Sequence, residues 1–157
     1  MRILVISDSH KRGDIIEKII YAQPTANHIF FLGDIASDIE DYTYLFTDKT
    51  FHILSGNCDY FSNYPSSAIE NIGGKKIFYT HGHTLGVKSS TAHLLSTAKA
   101  QGCDIALFGH THTPLTLYED GVWLVNPGSC GHPRGTKATY AVIDIENNGI
   151  MPIIVEV

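Results

Sequence analysis

The chain has 157 residues, of which 43% are hydrophobic and 17% charged, and its formal charge is −5. A chain of this size buries roughly 70% of its unfolded surface, so a single domain with a substantial core is expected and a disordered or fibrous protein is excluded. The acidic balance, with no basic stripe, excludes a surface for long nucleic acid or an anionic membrane, and no apolar run approaches the ~20 residues that span a bilayer.

Ile3-Leu4-Val5-Ile6 reads as a buried strand. It is too short for the core of a signal peptide, so a cytoplasmic protein is expected. A helix follows: Asp14 and Glu17 have capping-box spacing, and Ile15, Ile16, Ile19 and Ile20 form one apolar face. His28 to Leu32 reads as a second strand, and Ser37 to Phe46 as a short helix with Ser37 as its N-cap. Phe51 to Leu54 is a third strand. Ala68–Ile72 and Lys76–Tyr79 flank Gly73-Gly74 as a hairpin. Thr91 to Ala100 is a helix closed by Gly102, and Ile105 to Phe108 is a strand. Leu115–Tyr118 and Val122–Val125 form a hairpin around Asp120-Gly121, and Thr139–Ile145 and Met151–Val157 are late strands around Asn147-Asn148-Gly149. Strand and helix alternate early and strands dominate late, which points to a layered mixed α/β domain.

Five of the strand-like runs end in polar residues of one chemical kind. Ile3–Ile6 leads to Asp8 and His10, Ile29–Leu32 to Asp34, and Phe51–Leu54 to Asn57-Cys58-Asp59. Ile77–Tyr79 leads to His81-Gly82-His83, and Ile105–Phe108 to Gly109-His110-Thr111-His112. Residues beyond the carboxyl ends of parallel strands converge on one crevice. On an extended segment, residues i and i+2 point the same way, so Asp-x-His and His-x-His can each grip a cation from one side. Oxygen and imidazole donors without thiolate suit Mn²⁺, Fe, Zn²⁺ or Ni²⁺. Cys58, Cys103 and Cys130 are odd in number and form no C-x-x-C pair, so neither a zinc ribbon nor a disulfide framework is expected. His28, His52, His93 and His132 lack ligand spacing and read as structural.

In order and spacing, Asp8-x-His10, Gly33-Asp34, Gly56-Asn57, His81-Gly82-His83 and Gly109-His110-x-His112 resemble the calcineurin-like metallophosphoesterases. With Asn126-Pro127-Gly128-Ser129, they look most like the small single-domain phosphodiesterases of bacteria and archaea. The resemblance implies a four-layer α/β/β/α sandwich with two mixed sheets and a metal site at the strand carboxyl ends. It implies two divalent cations, manganese as the first expectation. Asp8, His10 and His112 would hold one, Asn57, His81 and His110 the other, and Asp34 would bridge them. A hydroxide bridging the cations would then attack phosphorus.

Many relatives carry histidine after the asparagine as the leaving-group acid, but here the residue is Cys58. Hydrolysis should therefore favour activated diesters, such as aryl phosphodiesters. Asp59 is expected to orient a histidine or a loop, and His83 to stand near the substrate. Arg134 and Lys88 are weaker candidates for phosphate contacts. The expected partner is a small phosphodiester or nucleotide, and self-association is left open. The competing readings are a phosphomonoesterase of the same fold and a protein-interaction scaffold with a retained metal site.

Overall fold

The computed structural model describes residues 1–147 and 149–157, so Asn148 of the expected turn lies outside the described residues. The first half contains β1 (Arg2–Ile6), α1 (Gly13–Ala22), β2 (Ala26–Phe31), α2 (Ser37–Leu45), β3 (Thr50–Ile53), β4 (Ser67–Ile72) and β5 (Lys75–Thr80). The second half contains α3 (Ala92–Ala100), β6 (Ile105–Leu107), β7 (Leu115–Glu119), β8 (Val122–Asn126), β9 (Thr139–Glu146) and β10 (Gly149–Glu156). The strands form two five-stranded sheets, ordered β10-β9-β1-β2-β3 and β4-β5-β6-β8-β7.

Three apolar clusters stack these sheets into four layers. Ile3, Val5, Phe30, Tyr79, Leu107 and Ile143 meet between the sheets. Alternate residues of β1, Leu4 and Ile6, face the opposite way and take the isoleucine face of α1. Leu94, Leu95 and Ala98 of α3 cover the outer face of the second sheet against Ala106 and Leu124. The strand period of two thus feeds both faces of each sheet.

Within each sheet one group of strands runs parallel, and this positions the site. β1 pairs in parallel with β2, and β2 with β3. β5 pairs in parallel with β6, and β6 with β8. Every sequence segment with candidate ligands leaves the carboxyl end of one of these parallel strands.

The hairpin turns follow their chemistry. Gly73 and Gly74 have φ of 59° and 74°, and Asp120 and Gly121 have 50° and 86°, the paired positive values of a two-residue hairpin turn. The helix starts differ from expectation. The residue before α1 is Arg12, with no side-chain cap; Asp14 sits inside the first turn and pairs with Arg12 at 2.9 Å instead of forming a capping box. Ser37 is the first residue of α2 rather than its cap: Ala36 takes that place without a side-chain cap, and the N–H groups of Ile35 and Ala36 just ahead of the helix donate to Asp59. No helix among the described residues is long and apolar enough to cross a membrane.

Away from the candidate ligands, His52 on β3 lies against Phe30 with ring centroids 4.4 Å apart. One of its ring nitrogens is 3.1 Å from His28 Nδ1 and the other 3.8 Å from Glu70. Burial, partly offset by Glu70 and reinforced by His28, holds its pKa below the ordinary histidine range. A depressed histidine pKa means that the unfolded chain binds the proton more readily. The stability it contributes is therefore complete above the unfolded value of ~6.5 and is lost as pH falls toward the folded value. Unfolding of metal-free chain should show stability dropping from pH 7 to 5. His52→Phe, which keeps the stack, should flatten that slope, and an unchanged slope would refute this role.

Candidate metal centre

The three loops after β1, β2 and β6 hold unusual backbone. Among the described residues, eight non-glycine residues have positive φ, and all but Asp120 lie here: Asp8, His10, Lys11, Asp34, Ile35, His110 and His112. Such conformations cost on the order of 1 kcal/mol or more each and persist only when neighbours over-determine them. One such neighbour is Asp59. Its carboxylate accepts from the N–H groups of Asp34 (3.0 Å), Ile35 (3.0 Å), Ala36 (2.8 Å) and Gly56 (2.7 Å). Asp59 therefore orients a loop, not a histidine. The loops also demand a missing β-carbon: one on Gly56 would overlap Asp34 Oδ1 and lie 2.5 Å from its nitrogen.

The donor atoms converge. Asp8, His10, Asp34 and His112 each place one ligand atom within 4.8 Å of the others, and so do Asp34, His81 and His110. Asp34 belongs to both sets. Its Oδ2 lies 3.8 Å from His10 Nε2, and its Oδ1 lies 3.4 Å from His81 Nε2. Asn57 joins the second set, its Oδ1 3.2 Å from His81 Nε2.

The chemistry of these contacts tests whether cations fit. His81 Nδ1 is 2.8 Å from the Leu32 carbonyl and His112 Nδ1 is 2.6 Å from the His132 carbonyl. A carbonyl only accepts, so each Nδ1 carries the proton, and in the neutral ring Nε2 presents a lone pair. The two lone pairs point at further acceptors. His81 Nε2 faces Asn57 Oδ1 and Asp34 Oδ1, and His112 Nε2 faces Asp8 Oδ1 at 3.2 Å. Asp8 Oδ2 is satisfied by Ser7 Oγ (2.6 Å) and the His110 N–H (3.1 Å), whereas Asp8 Oδ1 is buried without a hydrogen bond. Acceptors crowded onto acceptors in a buried place are costly unless a cation stands among them. The residues therefore fit a metal centre.

Protonation follows the same logic. Burial pushes Asp8 up, but the neighbouring His112 and His81 and the Ser7 hydroxyl together hold it below the usual carboxylate range. Asp8 in turn raises His112 above the ordinary histidine range against its burial, so protons and cations compete for the same Nε2. Burial lowers His10, and burial with His81 and Lys88 lowers His110 to about 4, which leaves both rings neutral and ready to ligate.

Cys58 donates its N–H to Asp34 Oδ1 at 2.9 Å, and burial, with Asp34 and Asp59, pushes its thiol up to about 11. His83 stands beside the second set, 5.4 Å from His81 and 6.0 Å from His110 between ring centroids. Its buried Nδ1 has no hydrogen-bond partner. Lys88 and Arg134 are exposed and lie close enough to act on the charge of His110 and His112, respectively.

Sequence reasoning gave several supports no role, Asn126 and Ser129 entering only as part of a family motif. His132, taken as structural, has its ring centroid 5.6 Å from that of His10, and its carbonyl fixes the His112 tautomer. Asn126 Nδ2 donates to the Gly109 carbonyl and to Thr111 Oγ1, both at 3.0 Å, and Ser129 Oγ donates to the Asp8 carbonyl at 2.7 Å. The signal was available: Val122–Asn126 is a sixth apolar run with a polar end.

Buried acceptors that share no proton, mounted at the parallel strand ends of a four-layer sandwich, are the arrangement of a metallophosphoesterase. The chain belongs to the calcineurin-like phosphoesterase superfamily, whose domain model matches residues 1–148. It is 29% identical over 150 residues to the probable metallophosphoesterase YsnB of Bacillus subtilis, covering 94% of this chain and 86% of that protein. It is 32% identical over 152 residues to vacuolar protein sorting-associated protein 29 of Schizosaccharomyces pombe, covering 93% and 79%. Among solved structures, a conserved protein of Streptococcus pneumoniae TIGR4, described as a predicted phosphoesterase, superposes with a TM-score of 0.85 at 28% identity, covering 99% of this chain and 88% of that one.

Proposed function

We propose that the chain is a binuclear metal-dependent phosphodiesterase, in which Asp8, His10 and His112 hold one divalent cation, Asn57, His81 and His110 the other, and Asp34 bridges both. The observation that carries this reading is the division of Asp34, with one oxygen toward His10 and the other toward His81. Such cations, manganese first and iron, zinc or nickel as alternatives, supply Lewis acidity toward the phosphoryl oxygens and lower the pKa of the attacking water. Water adds to phosphorus, the P–O ester bond breaks, and the departing oxygen takes a proton.

The chain's own residues decide which ester suits the site. Asp8 and Asp34 contribute −2 against +4 from two dications. Asn57 is neutral, so the centre keeps the positive charge that attracts a phosphodiester monoanion. Cys58 beside Asn57 offers no imidazolium to protonate the leaving oxygen. Good leaving groups therefore react fastest, and a small diester or nucleotide is the expected substrate.

The name of the S. pombe relative raises a scaffold reading for this chain. Against it, all seven donor positions hold ligand-type residues. In a manganese-loaded assay, bis(4-nitrophenyl) phosphate should turn over at least about tenfold faster than 4-nitrophenyl phosphate, and slower as substituted diesters become poorer leaving groups. Preference for the monoester would establish a phosphatase instead, and no turnover of either would favour the scaffold.

A further inference from the structure

The segment between β3 and β4 places two large aromatic side chains that neither the core nor the candidate ligands account for. Tyr60 and Phe61 are 85% and 99% exposed. They do not sit on a loose tip. Asp59 pins the segment to the loop after β2 through its four N–H contacts. Further along, Ser62 N–H donates to the Asp59 carbonyl (3.3 Å), Tyr64 N–H to Ser62 Oγ (3.2 Å), and Ser55 Oγ to the Tyr64 carbonyl (2.9 Å). Tyr64 itself packs against the cluster beneath the helices of the first sheet. A braced segment that holds two rings in water is organised to present them.

The rings border a cleft of about 560 Å³ between this segment and the start of α2, which Ser37, Glu40, Asp59 and Asn63 also line. That volume lies within the range of small-molecule sites, ~300–1,000 Å³. None of the candidate ligands lines the cleft, but one residue ties it to the candidate metal centre. Asp59 lines the cleft and at the same time holds the Asp34 N–H at 3.0 Å. Asn57 precedes Tyr60 by only three residues, a reach of at most ~11 Å. A phosphoryl group over the cations would leave its ester substituent within reach of the cleft.

Charge selects the substituent. Glu40 and Asp59 line the cleft, and no basic side chain does, so it repels a second phosphate. The Asp59 oxygens already accept four N–H groups, which leaves Glu40 as the carboxylate for a ligand donor. The complementary group is flat, uncharged and carries an N–H. We propose that this cleft is the nucleoside subsite of a nucleotide ester, with the base stacked on Tyr60 or Phe61 and its exocyclic amine donating to Glu40. The placement of the phosphate rests on the phosphodiesterase reading above; the aromatic cleft does not.

Calorimetry on the manganese-loaded chain tests it with two probes, adenosine 5′-monophosphate and methyl phosphate, which share the phosphoryl group and differ in the nucleoside. The wild type should bind the adenosine compound more tightly. The double variant Tyr60→Ala/Phe61→Ala should lower the ratio of the two affinities about tenfold, the loss of one base–aromatic stack. Both positions are exposed, so the fold should survive, and thermal unfolding checks that it does. Equal wild-type affinities for the two probes, or a ratio unchanged in the double variant, would overturn the proposal. The phosphodiesterase reading fails separately, through absence of diester turnover in the wild type.

Discussion

Asp34→Asn should leave the fold intact, reduce the bound cations from two per chain to at most one, and slow diester hydrolysis on the order of 10³-fold. The change removes one negative charge and one of two equivalent oxygens. Asp34 Oδ1 already accepts the Cys58 N–H at 2.9 Å, so an asparagine keeps its carbonyl oxygen there and turns its amide toward His10. An amide NH₂ has no lone pair for a cation, so the shared position between the two sets is lost. The backbone is unaffected, because the N–H of residue 34 still meets Asp59. Melting of the metal-free variant should match or exceed that of the wild type, since a buried carboxylate facing other acceptors has been neutralised. The rise in melting temperature on adding manganese should shrink, because a weaker ligand stabilises less. Elemental analysis, turnover and melting together separate loss of metal from loss of fold. Full hydrolysis by this variant would refute Asp34 as the bridge.

Asp59→Ala acts in the opposite sense, through the fold before the metal. Its carboxylate satisfies the N–H groups of Asp34, Ile35, Ala36 and Gly56, and Ile35 sits at φ 76°, where a β-branched residue is strained. Removing the acceptor orphans four donors and frees the strained turn to relax. The expected loss is about 3–5 kcal/mol, a fall in melting temperature of roughly 10 °C for a domain of this size. Metal affinity should fall with it, because Asp34 and Asn57 lie at the two ends of the same bracket. Asp59→Asn should lie between alanine and wild type, since one amide oxygen still accepts. A melting temperature for the alanine variant within about 2 °C of wild type would show that the loop holds itself.

The parts of this molecule that were legible from sequence are those with local signatures. Apolar runs located nearly every strand, and the paired turn residues at Gly73-Gly74 and Asp120-Gly121 located two hairpins. The seven candidate ligands were visible because each follows such a run. Their division into two sets came from resemblance to a family, and the structure groups six of the seven in the same way on geometry alone, with Asn57 beside His81. The helix starts were misread because the expected caps take other partners: Asp14 pairs with Arg12 ahead of α1, and the turn before α2 is held by Asp59, an acceptor distant in sequence. His132 was missed because its contribution is a backbone carbonyl, which any residue could provide. Tyr60 and Phe61 escaped notice because exposed aromatics look like core residues in composition, and only the fold shows them facing water.

The most direct test of the central claim is a titration of metal-free chain with manganese, following bound metal and bis(4-nitrophenyl) phosphate turnover in the same samples. Turnover should rise with occupancy, break at two ions per chain and vanish again with a chelator. Full turnover at one ion per chain, or turnover indifferent to the chelator, would contradict a centre built around Asp34 as a bridge.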